Sequence, residues 1–338
     1  MAGSLLLLRS TSFQHPSTFR PFRRSHFAAA RKFFSSLNGS NSKNSNMKFI
    51  YAFDFDGVLV DSAAELGLSG YDAAKLLFPG QEWLSRKLRR PDQMQNLVDG
   101  FHEVRPCLET GWEAPLLIKL LTDESLTREQ IISDFHRGLR EKVMEELIVS
   151  SDQCKEALKQ ARNAWIESDK NAQDWLDAHS FYEGACDAVR NLLEDPEKCK
   201  EVYIITTKAA DFTTRLLEKK RLFGPEAPNG GISEDKIFGL GSPPKPVVLA
   251  NLLKERGDEY GAVFVEDRLL TLDDAMSDEN INRKVVPVVA SWGYNTPEQR
   301  EGGKKAGYKI LSKDDPSSLG EVLNDEAASM CLAELNTK

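Results

Sequence analysis

The chain has 338 residues, of which 41% are hydrophobic and 28% are charged, as is ordinary for a globular protein. Its first 47 residues hold seven basic residues and no acidic one, so the remainder carries 37 basic and 52 acidic residues. Such an acidic surface repels a nucleic-acid backbone, and no later window has the roughly 18 apolar residues of a membrane helix. We therefore expect neither nucleic acid nor membrane as a partner, while composition leaves the oligomeric state open.

The leader, residues 1–47, is rich in arginine and serine, which is typical of an organelle transit peptide. Its four consecutive leucines are too few for a membrane span or for the apolar region of a secretory signal. A disordered basic tail is the alternative interpretation. We therefore begin the fold at residue 48.

Beyond the leader, apolar runs of strand length alternate with helical patterns. The predicted strands are 49–55, 201–207, 236–241, 261–267, 284–294 and 308–312. The predicted helices between and after them are 184–193, 211–222, 246–257, 269–276 and 316–323. This alternation predicts an α/β fold with a doubly wound parallel sheet. The core would comprise 48–62 and 179–325, and we expect 326–338 to be a flexible tail.

The stretch 63–178 has only helical patterns. Thr127 and Gln130 stand in the capping-box relation before one amphipathic run, and a second long run covers 151–178. A crossover between two strands normally needs far fewer than the roughly 115 residues of this stretch. It is therefore interpreted as an all-helical domain inserted after the first strand.

Two carboxylates end the first predicted strand. Asp54 and Asp56 are two residues apart, so extended backbone places them on one side, at the sheet edge where α/β proteins bind ligands. Unpaired neighbouring carboxylates repel each other, and they are tolerated where a divalent cation bridges them or one holds a proton. The alternative is a pair of helix-capping acids without chemistry.

The ends of other predicted strands carry groups that suit the same site. Thr206 ends the second strand, Lys245 precedes the helix after the third, and Glu266 and Asp267 end the fourth. Because carboxyl ends of parallel strands share one edge, a hydroxyl, an ammonium and an acidic group should converge there. The five cysteines and five histidines, by contrast, show no zinc-type spacing.

These segments resemble the motifs of the haloacid dehalogenase superfamily. "DFDGVLVDS" is similar to the first motif, "VYIITTK" to the second, "KPVVLANLL" to the third and "VFVED" to the fourth. The resemblance covers residues 47–323 and is to the phosphatase branch, near members like phosphoglycolate phosphatases. It implies a Rossmann-like core with a helical cap of the C1 type inserted at 63–178.

The resemblance also implies roles for the residues. Asp54 would be the nucleophile that forms an aspartyl phosphate, and Asp56 the general acid and base. Thr206 would donate a hydrogen bond to a phosphoryl oxygen, and Lys245 would balance the charge of Asp54 and the phosphate. Mg²⁺ is the implied cofactor.

The implied metal ligands are Asp54, Asp56 through its backbone carbonyl, and Asp267. Many members of the family carry a second acid four or five residues after the fourth-motif aspartate, where this chain has Thr271 and Leu272. Glu266 is therefore the expected source of the second acid. Weaker metal binding is the alternative.

The expected function is Mg²⁺-dependent hydrolysis of a small organellar phosphomonoester. A catalytically weak binding or assembly protein of the same fold and a phosphosugar mutase are the alternatives. The candidate substrate-binding residues are Arg105, Glu109, Trp112, Tyr182 and Thr207. Similarity to members from photosynthetic organisms indicates a chloroplast, although "ARKFFSS" also suits the end of a mitochondrial presequence.

Overall fold

The computed structural model describes residues 47–86, 91–123, 125–167 and 169–337, so all but the last residue of the predicted transit peptide lies outside the described residues. The strands are β1 Lys48–Phe53, β2 Val60–Asp61, β3 Ser180–Phe181, β4 Val202–Ile205, β5 Ile237–Phe238, β6 Tyr260–Glu266, β7 Val285–Val289 and β8 Lys309–Ile310. The α-helices are α1 Ala63–Leu77, α2 Glu82–Arg86, α3 Pro91–Val104, α4 Ala114–Leu121, α5 Arg128–Asp134, α6 Leu139–Leu147, α7 Ser151–Ile166, α8 Asp169–Asp177, α9 Glu183–Glu194, α10 Pro196–Cys199, α11 Ala210–Lys219, α12 Lys245–Arg256, α13 Leu269–Ser277, α14 Pro297–Ala306 and α15 Asp325–Asn336. Within these ranges, no helix has both the length and the apolar character needed to cross a membrane.

The main sheet has six parallel strands in the order β5-β4-β1-β6-β7-β8. The chain builds outward from β1 through β4 to β5, and then crosses to the other side of β1 for β6, β7 and β8. Strand order therefore reverses between β1 and β6, which is where α/β sheets form a ligand crevice at their carboxyl ends. The predicted parallel α/β sheet is confirmed.

The central strand β1 is buried on both faces. Phe49, Tyr51 and Phe53 pack in one hydrophobic cluster with α9, α11 and α15. Ile50 and Ala52 point to the opposite face and pack with α12 and α13. Because successive side chains of a strand alternate between faces, a strand covered by helices on both sides must be apolar throughout.

The residues between β2 and β3 in the described structure are helical, from α1 to α8 with short 3-10 turns. The two connections to this helical segment pair with each other as the antiparallel strands β2 and β3. The segment has its own hydrophobic cluster, although residues 46–338 form one compact unit by their contacts. The predicted capping box is confirmed, since Thr127 and Gln130 exchange both hydrogen bonds, at 3.2 and 2.9 Å.

Two predicted helical runs are interrupted in the structure. The first divides into α5 and α6 at Gly138, whose φ of 111° lies in the left-handed region that favours glycine. The second divides into α7 and α8. The predicted helix at 316–323 is instead a 3-10 helix, Pro316–Val322.

The prediction of a flexible tail at 326–338 is wrong for the described residues. Residues Asp325–Asn336 form α15, in which Ala328 and Leu332 are buried against the sheet. The Tyr51 hydroxyl donates a 2.6 Å hydrogen bond to Asp325 at the start of this helix. The tail is held because its apolar stripe covers one end of the central strands.

A tight turn follows β1 and passes close to the end of β6. Gly57 has a φ of 86°, and its backbone N–H donates to the carbonyl of Val60. A Cβ atom at this position would lie 2.1 Å from Asp267 Oδ2. Glycine is needed here both for its backbone conformation and for the close approach of the Asp267 carboxylate.

We predict that Gly57→Ala destabilises the fold much more than Gly80→Ala. Gly80 has a similar φ of 80° but has no atom within 4 Å of its would-be Cβ, so it reports the backbone strain alone. That strain should cost about 1–2 kcal/mol, and the clash at Gly57 roughly 1–3 kcal/mol more. Urea unfolding of both variants measures the difference. Equal losses would contradict the close approach.

Candidate active site

The Lys245 ammonium joins two buried carboxylates at the switch point of the sheet. Lys245 begins α12 between Pro244 and Pro246, and its Nζ lies 2.8 Å from Asp54 Oδ2 and 2.7 Å from Glu266 Oε2. Asp54 follows β1 and Glu266 ends β6, so the parallel pairing of these strands brings the two acids together. The ammonium offsets the repulsion between them.

Burial shapes the protonation of this cluster. It raises the pKa of Asp54 to about 7, with repulsion by Glu266 adding to the shift and Lys245 opposing it. Burial also raises the pKa of Glu266. The pKa of Lys245 is raised too, because attraction to Asp54 and Glu266 outweighs the opposing effect of burial. A further cation beside Asp54 would favour its ionised form.

Carboxylate oxygens of Asp54, Glu266 and Asp267 lie within 4.8 Å of one another, as a hard divalent cation requires. Both oxygens of Glu266 are already engaged, one by Lys245 and one by the backbone N–H groups of Asp267 and Arg268. Asp267 is held through Oδ2, which accepts the N–H of Tyr294 at 2.7 Å. Asp54 and Asp267 therefore fit a metal ion best, and Glu266 fits the role of partner to Lys245.

Asp56 lies outside this group and pairs with a lysine that sequence reasoning missed. Lys208 Nζ donates a 3.1 Å hydrogen bond to Asp56 Oδ1, and its side chain is only 2% exposed. Burial alone would raise the pKa of Asp56, but Lys208 and the Ser62 hydroxyl outweigh it, so the pKa lies below its usual range. The signal that the sequence offered was the position of Lys208 at the end of "VYIITTK", two residues after Thr206.

The Thr206 hydroxyl accepts the backbone N–H of Lys208 at 3.1 Å. Thr206 is buried just behind the surface of the site, while the neighbouring Thr207 is exposed and lines it. The acceptor contact fixes the turn after β4 and leaves the hydroxyl hydrogen available to a ligand oxygen.

A buried polar cluster ties the helical segment to this region. Glu65 on α1 is fully buried and receives two 2.8 Å hydrogen bonds from Arg162 of α7. Trp175 of α8 donates to the same carboxylate, and His179 Nε2 lies 3.8 Å from it. This pairing, together with nearby Lys208, lowers the pKa of Glu65 despite its burial. The cluster holds three helices of the segment in register beside the site.

The site opens into a cleft of about 270 Å³. Its lining residues are Asp54, Asp56, Arg105, Glu109, Thr207, Lys245, Asp267, Arg268, Leu270, Thr271, Asp274 and Tyr294. The expected Arg105, Glu109 and Thr207 are thus brought to the cleft. Asp274, which follows the fourth motif on α13, is an additional acid there.

Two of the expected substrate-binding residues lie elsewhere. Trp112 packs against the hydrophobic cluster of the helical segment, with the Arg140 guanidinium over its ring. Tyr182 packs against the sheet cluster and beside Trp292. Neither lines the cleft, because large aromatic side chains near a core are usually recruited into it.

No family model, no curated protein and no solved structure was found to match the chain.

We predict that Asp54→Asn makes the metal-free protein more stable at pH 8. The pKa of Asp54 is about 7 in the folded state against about 4 when unfolded, so the unfolded chain loses this proton first. The folded state therefore loses stability between about pH 4 and pH 7, and the loss is complete above pH 7. Removing the charge should recover on the order of 1–4 kcal/mol at pH 8 and less at pH 5.

Urea unfolding in the presence of a chelator measures this effect. Asp314→Asn is the matched control, because the Asp314 carboxylate is exposed to solvent and does not line the cleft. A lower stability of Asp54→Asn than of the wild type at pH 8 would contradict the expected direction.

Proposed function

We propose that the protein is a Mg²⁺-dependent phosphomonoester hydrolase that acts through an aspartyl phosphate on Asp54. The observation that carries the proposal is the contact of a buried Asp54 carboxylate with Lys245 at the sheet's switch point, with a second acid, Asp56, on the same cleft. A nucleophilic carboxylate, a fixed cation and a separate acid are the groups that phosphoryl transfer through a covalent intermediate needs.

The charge of the cleft supports a metal requirement. Its lining includes five carboxylates against three basic side chains, and Glu266 lies directly behind. A phosphate dianion would be repelled by such a surface. Asp54, Asp267 and the backbone carbonyl of Asp56 would hold Mg²⁺, which would supply charge neutralisation between the carboxylate and the phosphate.

The chain's own residues account for the remaining steps. An oxygen of Asp54 forms a bond to phosphorus as the bond to the leaving oxygen breaks, and Asp56 gives its proton to that oxygen. Water then attacks phosphorus, Asp56 takes a proton from it, and the Asp54 carboxylate is released. Lys245 stabilises the Asp54 anion, and Thr206 donates to a phosphoryl oxygen.

Asp56 must hold a proton when the leaving oxygen departs, although Lys208 keeps its pKa low in the ligand-free protein. An incoming phosphate is negatively charged and would raise the pKa of Asp56 by repulsion. The low starting value then suits the second step, in which Asp56 must act as a base. The role that fits Lys208 is therefore to hold the Asp56 side chain in position.

The helical segment is proposed as a cap that encloses a small substrate. Arg268, next to the metal-ligand Asp267, donates to the backbone carbonyl of Leu108 in the segment. Such contacts across the cleft would exclude water from the reacting groups. If the leader directs the protein to a chloroplast or mitochondrion, the substrate is a metabolite of that organelle.

We predict that the 338-residue chain hydrolyses p-nitrophenyl phosphate with Mg²⁺ and not with a chelator. Asp54→Asn should lower kcat by on the order of 10³-fold or more. Asp56→Asn should reduce turnover of an alkyl phosphate more than that of p-nitrophenyl phosphate, because the aryl leaving group needs less help from an acid.

Asp273→Asn is the matched control, because Asp273 lies on α13 but binds the Tyr308 hydroxyl outside the cleft. It should leave turnover unchanged. Equal activity of Asp54→Asn and wild type would exclude the covalent mechanism, and no metal-dependent turnover of any phosphomonoester would favour a binding or assembly role. Transfer of the phosphoryl group to a second sugar in place of water would indicate a mutase.

A further inference from the structure

We propose that a basic depression at the carboxyl ends of β7 and β8 binds a small organic oxyanion, that is, a phosphate-type group carried on an apolar body. The depression and the candidate active-site cleft have no lining residue in common. The inference therefore concerns a second ligand site and does not depend on the proposed hydrolase activity.

The depression lies where two neighbouring strands of the main sheet end. Ser291 follows β7, Leu311 follows β8, and α14 contributes further residues to the lining. The Leu311 N–H donates to the carbonyl of Val289 at 3.1 Å, which holds the two strand ends side by side. The carboxyl edge of a parallel sheet is the edge at which α/β proteins bind ligands.

The charge of the depression is opposite to that of most of the protein. Its lining has three basic side chains, Arg300, Lys304 and Lys313, against one acidic side chain, Glu301. A Glu301 oxygen lies 3.8 Å from Lys305 Nζ, which offsets part of its charge. Neither Lys304 nor Lys313 forms an ion pair with another described residue. On a chain with 44 basic and 52 acidic residues, such a local excess of positive charge attracts anions.

The Arg300 guanidinium is anchored by one of its nitrogens. Nη1 donates to the backbone carbonyl and to Oδ1 of Asn295, at 2.9 and 2.8 Å. Asn295 is buried, and its Nδ2 donates to the carbonyls of Asp267 and Ala290 at 3.0 and 2.9 Å. Within the described residues these are the only side-chain hydrogen bonds of Arg300, so Nε and Nη2 remain available. A fixed guanidinium edge suits two oxygens of an oxyanion.

The Ser291 hydroxyl provides an independent indication of a ligand. Ser291 lines the depression and is only 2% exposed, and its Oγ has no hydrogen-bond partner in the described part of the chain. A buried hydroxyl without a partner costs stability and is uncommon in native proteins. An oxyanion in the depression would accept the hydrogen bond that this hydroxyl can donate.

The size and the apolar part of the lining favour an organic ligand over a bare inorganic ion. Pro297, Ile310 and Leu311 add apolar surface to the basic side chains. The volume is about 350 Å³, of which a bare phosphate or sulfate would fill only a part. Burying an apolar body against these side chains would add affinity.

Titration calorimetry with phenylphosphonate tests the proposal on the 338-residue chain at pH 8, after removal of metal ions. The probe carries an oxyanion on an apolar ring, and its carbon–phosphorus bond is not a phosphate ester. Without metal, the carboxylates of the active-site cleft repel an anion, whereas the depression attracts it. We expect saturable binding, and methylphosphonate and inorganic phosphate should bind at least about threefold more weakly because they lack the ring.

Two lysine substitutions locate the bound probe. Lys304→Gln combined with Lys313→Gln should weaken the binding of phenylphosphonate about tenfold, since two charge pairs are lost. The matched control combines Lys142→Gln with Lys159→Gln, which removes two exposed lysines of the helical segment and should leave the affinity unchanged. Equal losses in the two double variants would overturn the proposal, because the attraction would then be non-specific.

Ser291→Ala tests the unpaired hydroxyl. It should weaken the binding of phenylphosphonate about threefold or more. It should not lower the urea midpoint of the ligand-free chain, because the hydroxyl has no partner to lose. A lower midpoint with unchanged affinity would show a structural role and would contradict the assigned contact.

The remaining outcomes are separate from the proposed hydrolase activity. No saturable binding to the metal-free wild type would overturn the proposal. Binding that requires Mg²⁺ and is insensitive to Lys304→Gln and Lys313→Gln would place the probe in the active-site cleft and would also overturn it. Equal affinities for phenylphosphonate and inorganic phosphate would reject an organic ligand. These outcomes are the same whether or not the chain hydrolyses phosphomonoesters.

Discussion

The structure of the site depends on one buried ammonium group, that of Lys245, held between the carboxylates of Asp54 and Glu266. Two carboxylates at neighbouring strand ends repel each other strongly once they are removed from water. Lys245 makes their proximity tolerable but does not neutralise the third acid, Asp267. The cluster therefore retains an excess of negative charge, which would favour a divalent cation beside it.

The pairing of the backbone strands is enough to place these groups next to one another. Parallel pairing aligns Phe53 with Val265, so the residues that follow β1 and β6 emerge side by side. Gly57 then turns the chain so closely past Asp267 that no Cβ fits. Tyr294 connects this edge of the sheet with Arg105, because its backbone N–H donates to Asp267 and the Arg105 guanidinium lies over its ring. The position of Asp267 and the support of the Arg105 guanidinium therefore depend on the same edge of the sheet.

Sequence reasoning predicted the sheet and the acids because both follow from local patterns: apolar strand-length runs, and polar residues directly after them. It missed Lys208, whose importance lies in a contact with Asp56 across 152 positions of the chain. It also assigned Trp112 to the site, because a lone aromatic residue does not reveal whether it faces a cleft or a core. The helix at the end of the chain was missed because its apolar stripe is weak. The stripe becomes buried only by packing against the sheet, and the sequence of the tail does not show that contact.

In the proposed reaction, an oxygen of Asp54 becomes covalently bound to phosphorus during turnover. The most direct measurement is acid quenching during steady-state hydrolysis with Mg²⁺, followed by borohydride reduction and peptide mass spectrometry, since an acyl phosphate is reduced to the alcohol. The covalent mechanism predicts conversion of Asp54 to the reduced residue in the wild type, and none when substrate is omitted. Rapid phosphate release with Asp54 unmodified, or modification of a different residue, would contradict it.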